Sequence, residues 1–328
     1  MYFKKQLFTI TVLAILMLSS CTKNNGIDNN SVIVKPYVLY FSGDRGELFK
    51  TNTGRLFNLV FPPDGFPCRA IATSYDNLLF IKRNVHISVN NGKTFDSSTL
   101  SADVPVAEQI IDVPSFGKLY VGSTLNKLSV SADNGKTWNP ETAWDVAPAN
   151  PISSLTQTAS GTVFALEKNN NTIFYKVNAG ANWAKQAPNN LPAVIGMYLT
   201  HAGNTLIATD RDNANGIWQS IDNGITWSQI AGLPNRKLYA TNCPFDASLL
   251  VGTDSMGIYR MESGSFVASN NGILKNTSVY SIIGKEDIYK NKASKKYIYI
   301  ATSTGLYRSD DLGKNWTLMK QGIITTVY

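Results

Sequence analysis

Three carboxylates recur in one short context along this chain of 328 residues. Asp133, Asp222 and Asp311 each follow a serine by two residues and precede a glycine by two residues. Such oxygens could bind a hard cation, but most copies offer one acidic side chain, which is too few for a calcium or magnesium site. The aspartate can instead accept hydrogen bonds from the backbone of the next turn, and the glycine supplies a positive φ. We interpret these residues as structural and expect no metal and no cofactor.

The histidines and cysteines offer little for acid–base or nucleophilic catalysis. A catalytic cysteine needs a base such as histidine, yet the two histidines, His86 and His201, fall in a predicted strand and at a predicted turn. The sequence has no CxxC, no HExxH and no glycine-rich phosphate-binding loop. We expect His86 to be packed in its strand, and Cys68 and Cys243 to be buried thiols.

These residues belong to a repeated segment of eight residues. Ser131–Trp138 returns as Ser220–Trp227 and Ser309–Trp316; weaker copies are Ser88–Phe95 and Lys176–Trp183, and degenerate ones surround Gly54 and Gly264. The seven glycines are 38 to 49 residues apart, a period that fits one four-stranded sheet per repeat. The sequence therefore predicts an all-β fold, a seven-bladed β-propeller of four-stranded antiparallel blades.

The repeated segment resembles the Asp-box, or BNR, motif of β-propellers such as sialidases, sortilin-type receptors, xyloglucan-degrading enzymes and photosystem II assembly factors. The resemblance covers nearly all of residues 36–328, and its strength lies in the seven copies in phase. It implies a structural role for the motif residues, whose last aromatic side chain we expect between neighbouring sheets. In the three strong copies these residues are Asp133, Gly135, Trp138, Asp222, Gly224, Trp227, Asp311, Gly313 and Trp316.

The two ends of the repeat region are complementary. Blade one has predicted strands B, C and D at residues 37–41, 47–51 and 56–60 but no convincing strand A, whereas Ile323–Tyr328 forms a spare strand after the last repeat. We predict that this C-terminal strand is the innermost strand of blade one and closes the ring, which leaves no open sheet edge. In such a ring Cys68 and Cys243 lie on separate sides, too far apart for a disulfide.

The N-terminus has the pattern of an export signal. Lys4 and Lys5 precede an apolar run that ends at Leu18-Ser19-Ser20-Cys21, and this run is too short to span a bilayer comfortably. The cysteine at the junction resembles a bacterial lipoprotein signal. We predict a signal peptide over 1–20, lipidation of Cys21, a flexible tether over 21–35, and an outer-membrane location on either the periplasmic or the cell-surface side.

The charge of the mature chain is mildly basic. Loss of residues 1–20 removes two lysines and no acidic residue, so the formal net charge falls from +7 to +5. Five lysines stand between residues 285 and 296, opposed by Glu286 and Asp287. The sequence does not show the aromatic-interleaved basic groove that is typical of a nucleic-acid-binding protein, so we expect no nucleic-acid partner. A solvated hairpin is the favoured interpretation of the lysines, with a contact to anionic lipid or polysaccharide as the alternative.

Ligand contact is predicted on the face formed by the D–A and B–C loops. These loops hold Trp144, Arg45, Arg83, Arg211 and Asp212, an aromatic plane with charged groups of the kind that sugars and peptides require. We predict that folding brings them around one mouth of the central channel. The alternative for Trp144 is that it folds back onto the propeller.

The sequence favours a binding protein over an enzyme. Asp-box sialidases hold the substrate carboxylate with three arginines, the first in a Phe/Tyr-Arg-Ile-Pro motif, and that motif is absent here. Xyloglucan-cleaving relatives place substrate between two propellers, whereas one is predicted here. We expect a non-catalytic, monomeric, lipid-anchored propeller that binds a protein or glycan. A glycoside hydrolase using Asp210, Asp212 or Glu167 stays open as the alternative, since fold does not imply function.

Overall fold

The computed structural model describes residues 32–74, 77–82, 85–97, 107–123, 128–193 and 196–328. Their regular secondary structure is β-strand, apart from two short 3-10 turns at Pro114–Phe116 and Pro244–Asp246. They divide into a small unit, 32–36 with 287–295, and a large unit, 37–286 with 296–328. No described helix has the length and hydrophobicity needed to cross a membrane. The expected signal peptide and most of the expected tether lie outside the described residues.

The strands are short and follow the repeat period. The first twelve are β1 Ile33–Lys35, β2 Leu39–Gly43, β3 Leu48–Thr51, β4 Asn58–Phe61, β5 Ala70–Ser74, β6 Asn77–Ile81, β7 Val85–Ser88, β8 Asp96–Ser97, β9 Ala107–Val113, β10 Lys118–Ser123, β11 Ser129–Ser131 and β12 Asn139–Pro140. The next twelve are β13 Ile152–Gln157, β14 Val163–Glu167, β15 Ile173–Lys176, β16 Ala184–Lys185, β17 Met197–Ala202, β18 Thr205–Asp210, β19 Ile217–Ser220, β20 Ser228–Ile230, β21 Leu238–Asn242, β22 Leu250–Thr253, β23 Ile258–Glu262 and β24 Ser265–Ala268. The last five are β25 Val279–Tyr289, β26 Lys295–Thr302, β27 Gly305–Ser309, β28 Thr317–Gln321 and β29 Ile324–Val327.

The strands of the large unit form the seven predicted antiparallel blades. Blades two to seven each take four consecutive strands, starting at β5, β9, β13, β17, β21 and β25. We call the strands of each blade A to D in chain order. Strands A of successive blades contact one another around the central channel. The sheet order confirms the seven-bladed propeller expected from the repeat.

Blade one is closed by the C-terminal strand, as predicted. Its order is β29-β2-β3-β4, and β29 pairs antiparallel with β2, with Val327 opposite Phe41. Tyr328 extends the ladder, because its amide donates to the Tyr40 carbonyl at 2.8 Å and its carbonyl accepts from the Tyr40 amide at 2.7 Å. The first sheet is therefore completed by the last residues of the chain.

The core is divided among the interfaces between blades. Seven apolar clusters each combine side chains of two neighbouring blades. Every cluster includes the aromatic residue that ends the repeated segment of the later blade, as the sequence predicted. From blade one to blade seven these residues are Phe57, Phe95, Trp138, Trp183, Trp227, Phe266 and Trp316.

Each repeated segment forms the hairpin turn between strands C and D, here called the repeat turn. In blade three the Ser131 hydroxyl accepts a hydrogen bond from the Gly135 amide and donates to Asp133, both at 2.8 Å. The Asp133 carboxylate accepts the Thr137 amide at 2.9 Å and the Thr137 hydroxyl at 2.7 Å. Gly135 has φ +88°, and the Trp138 indole donates to its carbonyl at 3.1 Å. The turn is therefore held by its own side chains.

The other two strong copies repeat this arrangement. The aspartate accepts the backbone amide four residues on at 2.9 Å in both, and the glycines have φ +88° and +87°. Their matching residues are Asp222, Gly224 and Trp227, and Asp311, Gly313 and Trp316. In the last copy the Trp316 indole donates across the interface to the Ser269 carbonyl at 2.9 Å. The repeat turns thus link neighbouring blades.

Deletion of Ile323–Tyr328 should destabilise the whole propeller. The truncation removes β29, exposes the edge of β2 and opens an apolar interface, which should cost several kcal/mol, comparable with the stability of an entire domain. Thermal unfolding followed by circular dichroism measures the effect. Ile323→Ser is the control, because the Ile323 side chain is 45% exposed. If the truncated protein unfolds at the same temperature as the parent, ring closure by β29 is contradicted.

The charge of the Asp222 carboxylate should stabilise the folded state only above its folded pKa. Hydrogen bonds, first from the Thr226 hydroxyl, then from the Thr226 amide and the Ser220 hydroxyl, lower the pKa of Asp222 to about 2 from its ordinary 3.8. A lowered pKa stabilises the fold above the unfolded value, and the effect is lost as the pH falls through the folded value.

Asp222→Asn provides the measurement. Asparagine keeps the acceptor oxygen, as Asn90 does in blade two, where it accepts the Thr94 amide at 2.9 Å. The parent should be the more stable protein at about pH 5, and the difference in unfolding free energy should shrink below about pH 4 and vanish below about pH 2. A difference that stays constant with pH would show that the charge contributes nothing.

Candidate functional site

Polar side chains of the inner strands join every pair of neighbouring blades around the central channel. Most of these bridges run from a side chain of one strand A to the backbone of the next. In order around the ring they link Thr326 to Cys68, Ser74 to Asp112, Gln109 to Leu155, Ser154 to Leu199, Tyr198 to Thr241, Asn242 to Ile282, and Ser281 to Val327. The inner strands therefore place apolar groups in the interfaces and polar groups along the channel.

One mouth of the channel opens into a cavity of about 570 Å³ where the inner strands begin. Its wall includes residues from the D–A loops, from the first positions of strands A and from one B–C loop. The lining residues are Cys68, Arg69, Gln109, Ser153, Ser154, Tyr198, Arg211, Tyr280, Ser281, Thr325 and Thr326. Two arginines and no carboxylate are among these described residues, so the cavity favours an anionic group.

Arg211 is positioned by backbone hydrogen bonds on both sides. Its amide donates to the Gly196 carbonyl at 3.2 Å, and its carbonyl accepts the Leu238 amide at 2.8 Å. The guanidinium carbon lies 5.6 Å from the centroid of the Tyr198 ring, within the range of a cation–π contact. The exposed Arg211 side chain thus stands over a fixed aromatic ring.

The tyrosine beside it is a neutral hydrogen-bonding group. The Tyr198 hydroxyl lies 3.3 Å from the Thr241 hydroxyl, and burial raises the pKa of Tyr198 above its ordinary value. Tyr280 stands in the same wall and its ring packs 5.5 Å from that of Tyr239. The cavity therefore combines two fork-shaped cations with flat aromatic surfaces and neutral hydroxyls, a set that suits acidic ligands.

The other end of the channel holds a second cavity, of about 550 Å³. It shares Gln109, Tyr198, Tyr280 and Ser281 with the first cavity, and it is otherwise lined by the later residues of strands A. Its ionisable lining groups include Asp112 and His201. Burial raises the pKa of Asp112 and lowers that of His201, so both groups are less charged than in water.

The structure brings one of the predicted arginines into the first cavity. Arg211 lines the wall, whereas Arg45 is an exposed residue of the β2–β3 loop outside the described lining. Asp212 is exposed and pairs with Lys237 at 3.4 Å. Arg83 lies outside the described residues, as does Cys21. The expected convergence of these side chains around one mouth is therefore seen for Arg211 alone among the described members of the set.

Trp144 lies in the interface between blades three and four. Its ring stacks on Trp183 with centroids 5.3 Å apart and meets Phe174 edge-on at 5.3 Å. Its indole donates to the Glu141 carbonyl at 2.8 Å. The structure thus does not bring Trp144 to the channel mouth beside Arg211, because two neighbouring aromatic rings hold it in the core. Its folding back onto the propeller was the alternative expectation.

The carboxylates considered for hydrolysis support loop structure. Asp210 is buried and accepts the Asp212 amide at 3.1 Å, the Asn215 amide at 2.9 Å and the Asn215 side chain at 2.8 Å. Glu167 is buried and accepts the Asn150 amide. These contacts tie down the B–C loop of blade five and the D–A loop before blade four. Neither residue lines the first cavity.

The thiols and His86 are packed as expected. Cys68 and Cys243 are buried and not paired, and burial raises their pKa values to about 12 and about 11. His86 lies in β7, with its ring stacked 4.8 Å from that of Phe80. Within the described ranges, no group of three His, Cys, Asp or Glu side chains could hold a metal ion.

Sequence reasoning missed Arg69, Tyr198 and Tyr280. Arg69 directly precedes β5, and the two tyrosines are the second residues of β17 and β25. A signal was present, because Tyr198, Tyr239 and Tyr280 recur at intervals of 41 residues, each one position after an apolar residue. That recurrence in the inner strands could have marked a channel-facing row.

Comparisons with known proteins show the fold. No protein-family model matches this sequence, and no curated protein matches it. Among solved structures, YCF48 bound to D1 peptide is similar, with 13% identity, a TM-score of 0.59, and coverage of 84% of this chain and 89% of that one. An ancestral GH74 enzyme is similar with 12% identity and a TM-score of 0.58, over 85% of this chain and 39% of the enzyme. At such identities the likeness establishes the propeller fold alone.

Trp144→Ala should lower stability, because the half-buried ring contacts Trp183 and Phe174 in an interface between blades. Loss of a packed aromatic side chain typically costs on the order of 3 kcal/mol when it is fully buried, and we expect about 2 kcal/mol here. Chemical denaturation measures the change in unfolding free energy. Val146→Ala is the control, because Val146 lies in the same loop and is 56% exposed. Unchanged stability would show that Trp144 is free for ligand contact.

Proposed function

We propose that this protein is a non-catalytic, lipid-anchored propeller of the bacterial cell envelope that binds an acidic protein segment or glycan at the Arg69–Arg211 cavity. The repeat turns are Asp-boxes in this proposal, and they build the scaffold without touching the ligand. Lipidation at Cys21 attaches the chain to the outer membrane. The protein acts as a monomeric binding module.

The charge of the cavity wall carries the proposal. Arg69 and Arg211 reach the same cavity from blades two and five, and neither has a carboxylate partner among the described residues. A guanidinium binds a carboxylate, sulfate or phosphate through paired hydrogen bonds. Tyr198 and Tyr280 add flat surfaces on which a sugar ring or peptide group can lie. An acidic ligand would therefore pair with the guanidinium groups of Arg69 and Arg211.

The hydrogen bonds of the loop carboxylates favour binding over hydrolysis. Most glycoside hydrolases use two carboxyl groups that flank the scissile bond. Asp210 and Glu167 are buried and hydrogen-bonded within loops, and Asp212 is paired with Lys237. Two of the three carboxylates of the hydrolase alternative, Asp210 and Glu167, are thus committed to other contacts. The likeness to a GH74 enzyme concerns the fold, over a minor part of that chain.

The N-terminal sequence supports the proposed anchor and location. The charged start, the apolar run and the cysteine at position 21 have the order of a lipoprotein signal. The structure of YCF48 holds a peptide. By analogy between proteins of the same fold, this favours a protein partner for the present chain.

Arg69→Ala and Arg211→Ala should each weaken ligand binding by about 2 kcal/mol, the scale of an interface hot spot. A glycan array with matched acidic and neutral members, and co-purification from envelope extract, identify the ligand; calorimetry then measures affinity. Both side chains are exposed, so folding should be unchanged.

Arg55→Ala is the matched control, since Arg55 is an exposed arginine in the repeat turn of blade one. It should bind normally. Equal binding of neutral and acidic ligands, or full affinity in the Arg69 and Arg211 variants, would contradict the proposal. Release of reducing ends from a bound glycan would favour the hydrolase instead.

A further inference from the structure

The small unit carries a mixed apolar and cationic surface that the proposed function does not use. β1 pairs antiparallel with the end of β25, with Ile33 opposite Tyr289 and Lys35 opposite Ile288. The Lys290 amide extends this pairing by donating to the Val32 carbonyl at 3.0 Å. The expected tether thus ends in a strand. We call residues 32–35 with 288–292 the β1 surface.

Aliphatic side chains of the β1 surface are exposed. The exposed fractions are 36% for Val32, 42% for Ile33, 56% for Val34 and 38% for Ile288. Side chains alternate between the two sides of a strand, so Ile33 shares a side with its partner Tyr289, whereas the adjacent Val34 lies on the other side. Exposed aliphatic side chains therefore stand on both sides of this short pairing, a concentration that favours a contact surface.

The charge of the small unit is strongly positive. It contains Lys35, Lys290, Lys292 and Lys295 against a single acid, Asp287, which is buried. The Lys292 ammonium lies 4.1 Å from the centroid of the Tyr289 ring, so cation and aromatic ring share one face with Ile33. Lysines beside aliphatic and aromatic residues are the composition of segments that lie at the surface of an anionic bilayer.

The position of the β1 surface in the chain, close to Cys21, indicates a membrane as its partner. Ile33 stands twelve residues after Cys21. A segment of that length reaches at most roughly 40 Å when extended and about 20 Å as a random coil. A lipid on Cys21 would therefore hold the β1 surface within this distance of the headgroups, where a weak contact becomes effective because it is intramolecular.

We propose that the β1 surface docks on anionic phospholipid headgroups and is the second membrane contact of this protein, beside the lipid. The inference rests on the anchor in the proposed function. The lysines contribute attraction to the negative surface, roughly fivefold in membrane affinity for each one near it. The aliphatic side chains enter the interfacial region, which a polysaccharide contact would not require.

Energy transfer to labelled lipid tests the docking. The lipidated protein carries a donor dye at Asn291→Cys, an exposed position in the turn after β25; Cys68 and Cys243 are buried and should not react. It is reconstituted in vesicles of phosphatidylcholine alone or with phosphatidylglycerol, both with an acceptor on the headgroups. Transfer should be higher with phosphatidylglycerol. High salt, or Lys290→Glu with Lys292→Glu, should reduce it to the phosphatidylcholine value.

The control pair is Lys168→Glu with Lys275→Glu, in a B–C and a D–A loop of the propeller, which should behave as the parent. Equal energy transfer in both kinds of vesicle would overturn the proposal. Unchanged energy transfer in the Lys290→Glu, Lys292→Glu variant would overturn it as well. If the parent binds a column of sulfated polysaccharide and shows no difference in energy transfer between the vesicles, the lysines bind polysaccharide and the docking proposal is wrong.

Failure of the anchor is separable from failure of the surface. Mass spectrometry of the mature protein shows whether Cys21 carries acyl chains. If it does not, the anchor is wrong, and flotation of the same unlipidated chain tests the surface alone. At low ionic strength, where the untethered contact is strongest, a larger fraction should float with phosphatidylglycerol vesicles than with phosphatidylcholine vesicles; equal fractions would overturn the docking as well.

Discussion

Packing between neighbouring blades is the interaction on which the rest of this structure depends. A four-stranded sheet has two apolar faces, and each must be covered by the next sheet. The repeat turn is shaped by that contact: a Cβ atom at Gly135 would lie 2.1 Å from the Leu79 Cδ2 of the preceding blade. The glycine thus satisfies two constraints, the positive φ of the turn and the close approach of a neighbour.

The same constraint accounts for the aromatic end of the repeat. In blade four a lysine replaces the serine, and the buried Lys176 ammonium donates to the Ala181 carbonyl. The hydrogen-bonding scheme inside the turn can therefore change. The aromatic side chain is present in every blade, because it fills the interface that no single sheet can fill. Packing, rather than the carboxylate, is the invariant part of the turn in this chain.

The fold could be predicted from the sequence because its signals are local and repeated. The spacing of the glycines predicted the number of blades, and the unmatched strand at the C-terminus predicted the closure with β2.

The site was harder to predict than the fold, since its residues meet only in the folded ring. Arg211 was assigned correctly to a loop at the channel mouth. Trp144 could not be placed, because its stacking on Trp183 depends on a contact between two blades. Arg69 and the channel tyrosines depend on which face of strand A turns inward.

Closure of the ring also determines how the cavity can select a ligand. Bridges join strands β9, β13 and β17 to the inner strand on either side of each, so the wall is organised before a ligand arrives, which lowers the entropic cost of binding. Of the acids beside Arg211, Asp210 is bound within its own loop and Asp212 pairs with Lys237. Arg69 and Arg211 are then the charges of the wall that a ligand must match. The Arg69 amide donates to the Ile81 carbonyl at 2.8 Å, and Arg211 is held by backbone hydrogen bonds to Gly196 and Leu238. The two guanidinium groups therefore extend from fixed backbone positions and discriminate by the position of acidic groups on the ligand.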